Sequence, residues 1–391
     1  MMKKEFGVIS RRSFVKTAFG GMLVAGAGLA LPGCATKSIE VGDNGTLSSE
    51  GEQVEKNAYT VNWDTAESLT VGAPGKDIKI ACIVVAYQLG LYKEENLDVT
   101  IETIASLSDG ITAVSEDKLD VLPFGVIPTC TFVGQGVENV VVFGGTIAEG
   151  SEVIALPENK DSYKAPADFR SKKIGFFPME TGHLVMQGLI ADAGMDNEKD
   201  CEWIIQDSSA SIMEGVRKGE LDCGFVNSGY GYIAEQAGVS VALHVGDLKP
   251  DFPCCRQSTS LHSLEQKSSA LVKFEVANLR AYEIIRNDKQ RAIETIAEYS
   301  GQPAEYVESV IYGTDTYKAA MIVEMDPYTT TVCDFYEVMK QTNNIPADTP
   351  YKMEDHVDTT IYRAALDEMI SRGDDPELFN ELDQTYQSHN A

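Results

Sequence analysis

The chain lacks a CxxC pair, and no Cys/His spacing in it fits a structural zinc site, which removes the zinc-ribbon and zinc-finger classes. It has no collagen-like repeat and no long Gln/Asn-rich or Pro-rich tract, so the fibrous and low-complexity classes fall away as well. Positive charge is scarce: 32 Lys and Arg stand against 60 Asp and Glu, a formal net charge of -28. Five of those bases and only one acid lie in the first 33 residues, so the remainder carries -32. A surface this negative repels phosphate backbones and argues against a nucleic-acid partner. It also disfavours anionic ligands at long range, although salt screens that effect beyond about 10 Å. The same charge keeps an exported protein soluble. What is present is ordinary globular material: 391 residues, 43% hydrophobic, enough for about two domains plus tails.

The N-terminus reads as an address. Ser10-Arg11-Arg12-Ser13-Phe14-Val15-Lys16 matches a twin-arginine export signal. A mild apolar stretch from Thr17 to Leu31 follows, too short and too weakly apolar for a spanning helix. It ends in Leu31-Pro32-Gly33-Cys34, which resembles a bacterial lipobox. Acylation at Cys34 would tie the chain to a membrane without a transmembrane helix. Residues 1–33 are therefore expected to be a signal peptide. Residues 34–70, polar and poor in large apolar side chains, are expected to be a flexible tether.

Seven cysteines remain: Cys82, Cys130, Cys201, Cys223, Cys254, Cys255 and Cys333. The number is odd, so any intramolecular pairing leaves a free thiol. Several sit in apolar runs and read as small hydrophobes. Adjacent Cys254 and Cys255 should point to opposite faces of a strand, so at most one faces a cleft.

Strands and helices alternate from 77 to 260. Residues 76–85, 97–102, 119–124, 139–144 and 152–156 read as strands, with 139–144 apolar enough for a buried parallel strand. Ala86 to Glu95 reads as a helix. Ser108-Asp109 should cap another from Gly110, and Pro128–Gly136 forms a third. Two prolines and several charges in 157–167 suggest a crossover loop, after which the pattern restarts. Residues 173–177, 202–205, 221–226 and 239–245 read as strands, with helices at 181–193, 209–218 and 229–237. Residues 253–259 look like a second crossover strand. From Leu264 onward the signal is helical, and Asp326-Pro327 opens one of those helices. Two βαβ stretches, 77–156 and 168–250, imply an α/β chain with two lobes and a ligand cleft beyond the strand ends.

Four segments carry a family resemblance. They are Gly90-Leu91-Tyr92-Lys93-Glu94-Glu95-Asn96-Leu97-Asp98-Val99, Lys118-Leu119-Asp120-Val121-Leu122-Pro123-Phe124-Gly125, Ala167-Asp168-Phe169-Arg170-Ser171-Lys172-Lys173-Ile174-Gly175 and Arg217-Lys218-Gly219-Glu220-Leu221-Asp222-Cys223-Gly224. In order and spacing they resemble the nitrate/sulfonate/taurine-type periplasmic binding proteins, also called thiamine-pyrimidine-synthase-like. The resemblance implies the type II two-lobed fold, with mixed, mostly parallel sheets and a helical C-terminal part. Residues 71–160 plus 257–391 would form one lobe and 161–256 the other. It also implies binding without catalysis, no cofactor, a small-molecule ligand, and permease and ATPase partners of an ABC importer on the extracytoplasmic face. The chain would act as a monomer.

Candidate ligand contacts sit at predicted strand ends and helix starts: Tyr87, Ser108, Phe124, Gly125, Val126, Glu149, Ser151, Thr181, Gly182, His183, Asn227 and Tyr230. The helix beginning at Thr181 should offer backbone N–H groups to the cleft. The predicted strand-end loops carry no Arg or Lys, whereas Glu149 and Glu180 lie near the cleft. A neutral heterocycle or an amine is therefore expected over a sulfonate or nitrate. Two other functions are weighed: an exported enzyme of the pyrimidine-synthase type, and a ligand-sensing lipoprotein for a membrane receptor. The eukaryotic pyrimidine-synthase relatives carry a longer cysteine run where this chain has only Cys254-Cys255, so that chemistry does not carry over.

Overall fold

The computed structural model describes residues 59–178 and 180–390. The twin-arginine motif, the lipobox with Cys34 and most of the expected tether lie outside the described residues. Among the described residues there are ten strands: β1 (Glu67–Ala73), β2 (Leu97–Thr103), β3 (Val141–Glu149), β4 (Ser151–Ala155), β5 (Lys173–Phe176), β6 (Glu202–Ile205), β7 (Cys223–Asn227), β8 (Ser240–His244), β9 (Pro253–Thr259) and β10 (Met321–Val323).

They form two mixed sheets. In the first, β1 pairs parallel with β2, Val71 bridges to Val121, Leu122 bridges to Ser258 of β9, and β3 lies antiparallel between β9 and β10. The second runs β6-β5-β7-β4-β8, with β5 parallel to both neighbours and β4 antiparallel to both of its own. The chain passes between the sheets twice, from β3 to β4 and from β8 to β9. The first passage is the dipeptide Glu149-Gly150, with φ of 58° and 89°. A Cβ on Gly150 would sit 2.3 Å from the Ser228 hydroxyl, so only glycine fits this turn. The exchange therefore falls at 149–150, and β4 belongs with the second sheet.

Four local expectations change. Residues 76–85 are not a strand: Asp77 caps a short 3-10 turn, Ile78–Ile80, which leads into helix Ala81–Gln88. Residues 81 to 86 are all buried, so the run has no periodicity to separate helix from strand. The true first strand is β1, which starts inside the segment assigned to the tether and ends beyond it. Just before it, Tyr59, Val61 and Trp63 pack on the core, so 59–70 is part of the body. Residues 119–124 pair only through single bridges at Val121 and Leu122. The strand at 139–144 is antiparallel, because burial on both faces makes a run apolar whichever way its neighbours point.

The helical C-terminal part packs on the first sheet. Helix Ser268–Asn287 is its spine, burying Leu271, Phe274 and Leu279 against helices Ala81–Gln88 and Thr360–Arg372. Each such side chain contributes about 1.5–3 kcal/mol of burial. Helix Thr329–Gln341 starts after Tyr328 in the left-handed region, two residues later than the Asp326-Pro327 pair suggests; Asp326 instead accepts from the Tyr328 N–H at 2.7 Å. Among the described residues no helix is long and apolar enough to cross a membrane.

Candidate functional site

Parallel strands place their following loops on one edge, and here the loops of both sheets meet across a cavity of about 520 Å³. The first sheet supplies the loop after β1, Pro74 to Lys79. The second supplies Phe177 after β5, Asp207 to Ala210 after β6, and Asn227, Ser228 and Tyr230 after β7. Gln302, in the loop after helix Lys289–Ser300, and Tyr306, on helix Ala304–Tyr312, close one wall.

Polar groups here are tied to one another. Asp77 accepts from the Lys79 N–H at 2.8 Å and pairs with the Lys79 ammonium at 3.2 Å. Burial acts to lower the Lys79 pKa, but Asp77 and the nearby Cys255 and Cys254 outweigh it and hold the amine above its usual value. Ser208 caps helix Ser209–Arg217 by accepting from the Ser211 N–H at 3.2 Å. Ser209 Oγ donates to Asn227 Oδ1 at 3.0 Å, which orients the amide. Burial pushes the Tyr306 hydroxyl up to about 12, so it stays a donor at neutral pH. Two lysines (Lys76, Lys79) and two aspartates (Asp77, Asp207) line the cavity, and Phe177, Tyr230 and Tyr306 add ring surface.

Of the residues singled out from sequence, Asn227 and Tyr230 line this cavity. The others lie elsewhere. Ser151, Thr181, Gly182 and His183 are buried where β4 meets helix Thr181–Asp192; a Cβ on Gly182 would approach Ser151 Oγ to 2.0 Å. The N-terminus of that helix is already occupied. Glu180, itself buried, accepts from the Gly182 N–H at 2.8 Å and the His183 N–H at 2.7 Å. The chain's own carboxylate thus takes the two N–H groups expected to be offered to the cleft. Glu149 sits at the turn between the sheets, accepting from the Asp251 N–H at 3.2 Å, and burial raises its pKa. Phe124 and Val126 are buried in the core clusters, Gly125 lies between them, Tyr87 is 42% exposed, and Ser108 is exposed on helix Leu107–Ser115, whose cap is Ser106.

The premise that strand-end loops carry no Lys also fails. Lys76 and Lys79 follow β1, and they stood inside an assumed strand only because β1 itself was unrecognised. Asp207-Ser208-Ser209 follows a correctly placed strand, β6, and could have been found by treating every parallel strand end alike. Gln302 and Tyr306 come from a loop and a helix far along the chain, with no local signal.

Comparison with known proteins places this geometry. No curated protein matches the sequence. Among solved structures, the periplasmic nitrate-binding protein NrtA from Synechocystis PCC 6803 superposes with a TM-score of 0.62 at 16% identity, over 78% of this chain and 89% of that one. The periplasmic aliphatic sulphonate binding protein SsuA from Escherichia coli gives 0.59 at 16% identity, over 75% and 92%. A putative periplasmic sulfonate-binding protein SsuA from Methylobacillus flagellatus KT gives 0.61 at 14%, over 78% and 95%. The fold is that of the periplasmic binding proteins. Residues 77–292, just over half of the chain, match the NMT1/THI5-like family, and the chain belongs to that family.

Proposed function

We propose that this chain is an extracytoplasmic solute-binding protein that closes its two lobes on a small molecule and hands it to an ABC importer. The observation that carries the proposal is the cavity itself: strand-end loops of both sheets line it, and only two chain passages connect those sheets nearby. That is the arrangement in which hinge bending opens and closes a site. Its volume, about 520 Å³, suits a small organic molecule.

The ligand we favour is a net-neutral or amine-bearing molecule with a planar part, such as a nitrogen heterocycle. The lysines do not by themselves favour an anion, because Asp77 and Asp207 line the same cavity and Lys79 is paired with Asp77. Stacking surfaces come from Tyr230 and Tyr306, and Asn227 offers an amide edge. Delivery would use a permease and an ATPase, with Cys34 acylated after twin-arginine export and holding the protein at the membrane face.

A thermal-shift panel of nitrate, alkanesulfonates, amines and nitrogen heterocycles tests the ligand class. A ligand at a hundred times its Kd should add about 2.7 kcal/mol of stability. A shift with heterocycles or amines supports the proposal, and a shift with sulfonates or nitrate alone overturns the ligand class. Turnover of a ligand without its release intact would overturn the transport role.

A further inference from the structure

Strand β9 begins Pro253-Cys254-Cys255, directly after the second passage between the sheets. Opposite it, Ala148 pairs with Pro253 and Ile147 pairs with Cys255, so Cys254 is an extra residue with no partner. This is a β-bulge, and it changes the geometry. In a regular strand neighbouring side chains point to opposite faces. Here the bulge brings the two Sγ atoms within 3.8 Å of each other, against the alternation expected from sequence.

The surroundings are unequal for the two thiols. The Cys254 S–H, the Lys79 ammonium and the Gly125 N–H all favour a thiolate at Cys255. They overcome burial and the opposing charge of Asp77, and bring the thiol down to about 7. Cys254 is shifted the other way, by its bond to Cys255 and by burial, and keeps its proton. The remaining described cysteines, Cys82, Cys130, Cys201, Cys223 and Cys333, all have thiols pushed up by burial. Cys254 is half-buried, whereas Cys255 is only 5% exposed.

We propose that Cys254 and Cys255 form a redox site at the lobe passage, in which a hydroperoxide oxidises Cys255 and Cys254 then closes a vicinal disulfide. In the first step the Cys255 thiolate attacks the peroxide, forming an S–O bond. The O–O bond breaks, leaving a sulfenic acid and releasing hydroxide from hydrogen peroxide or an alkoxide from an organic hydroperoxide. In the second, Cys254 attacks the Cys255 sulfur, an S–S bond forms, and the sulfenic oxygen leaves as water with the Cys254 proton. The two thiols supply the two electrons that reduce the peroxide. This chemistry does not depend on what the cavity binds.

The test is peptide mapping of the full folded protein after brief treatment with hydrogen peroxide at one equivalent. The expected result is a Cys254–Cys255 disulfide while Cys82, Cys130, Cys201, Cys223 and Cys333 remain as thiols. In the Cys254→Ser variant the sulfenic acid should persist on Cys255 and be trapped by dimedone. Because the reactive species is the thiolate, the reaction should slow about fifty-fold from pH 7 to pH 5. Oxidation of the other cysteines at a comparable rate, or an inert Cys255 in the wild-type protein, would overturn the proposal. The wild-type map decides this even where a variant fails to fold.

Discussion

Replacing Glu152 with glutamine should raise stability above neutral pH and leave it nearly unchanged in mild acid. Glu152 is the second residue of β4 and is fully buried. Its Oε1 lies 2.6 Å from the Tyr317 hydroxyl, in the loop before β10, and its Oε2 accepts from the Gly231 N–H at 3.0 Å. The carboxyl thus joins an element of the first sheet to two of the second. Burial pushes its pKa up to about 7; the Tyr317 and Gly231 bonds oppose that rise, and Glu235 adds to it. His244 Nδ1 is 4.0 Å away, and burial lowers that imidazole's pKa.

A carboxyl whose folded pKa is raised favours the fold when protonated. Its contribution is whole below the unfolded value, near 4.5, and is lost as pH rises through about 7. At about 1.4 kcal/mol per pKa unit, the loss by pH 8 is of order 3 kcal/mol. A glutamine amide mimics the protonated acid: its NH2 donates to Tyr317 and its carbonyl accepts from Gly231. Urea melts of Glu152→Gln and wild type should agree within about 0.5 kcal/mol at pH 4.5 and separate by about 2–3 kcal/mol at pH 8, or roughly 5 °C in Tm. The general effect of the large negative charge nearly cancels in this comparison. Parallel stability curves from pH 4.5 to 8 would refute the reasoning.

Three other substitutions probe the fold and the cavity. Gly150→Ala forces a side chain into a left-handed turn and against Ser228; it should cost at least about 2 kcal/mol in urea melts. Glu95→Ala removes the carboxylate to which Arg280 and Arg372 both donate at 2.7 Å, leaving Arg280 with Glu94 and Arg372 with Glu368. It should cost about 2 kcal/mol, less than a fully buried pair, because both arginines remain about a quarter exposed. Burial acts to raise the Glu95 pKa, but the arginines outweigh it and lower it. Its contribution is therefore present above the ordinary glutamate range and fades as pH falls through the folded value, which an acid titration by circular dichroism reads. Asn227→Ala removes an amide edge of the cavity and should weaken ligand binding about tenfold by calorimetry, with little change in the ligand-free Tm.

The family resemblance and the two-sheet organisation were legible because they rest on local signals. Examples are alternating β2, the Gly-flanked strand at Leu221–Val226, and the long amphipathic stripe of Ser268–Asn287. Much of the cavity was not legible. Its lysines were hidden when a buried helix, Ala81–Gln88, passed for a strand, since an apolar run without period is silent about its own geometry. Sequence also could not say that Glu180 spends its carboxylate on its own helix, or that a bulge would bring Cys254 to Cys255. Order along the chain determined which elements form. Which groups face one another across the passages at Glu149-Gly150 and β8–β9 was decided by tertiary packing, because those contacts join residues far apart in sequence and depend on register, burial and turn geometry together.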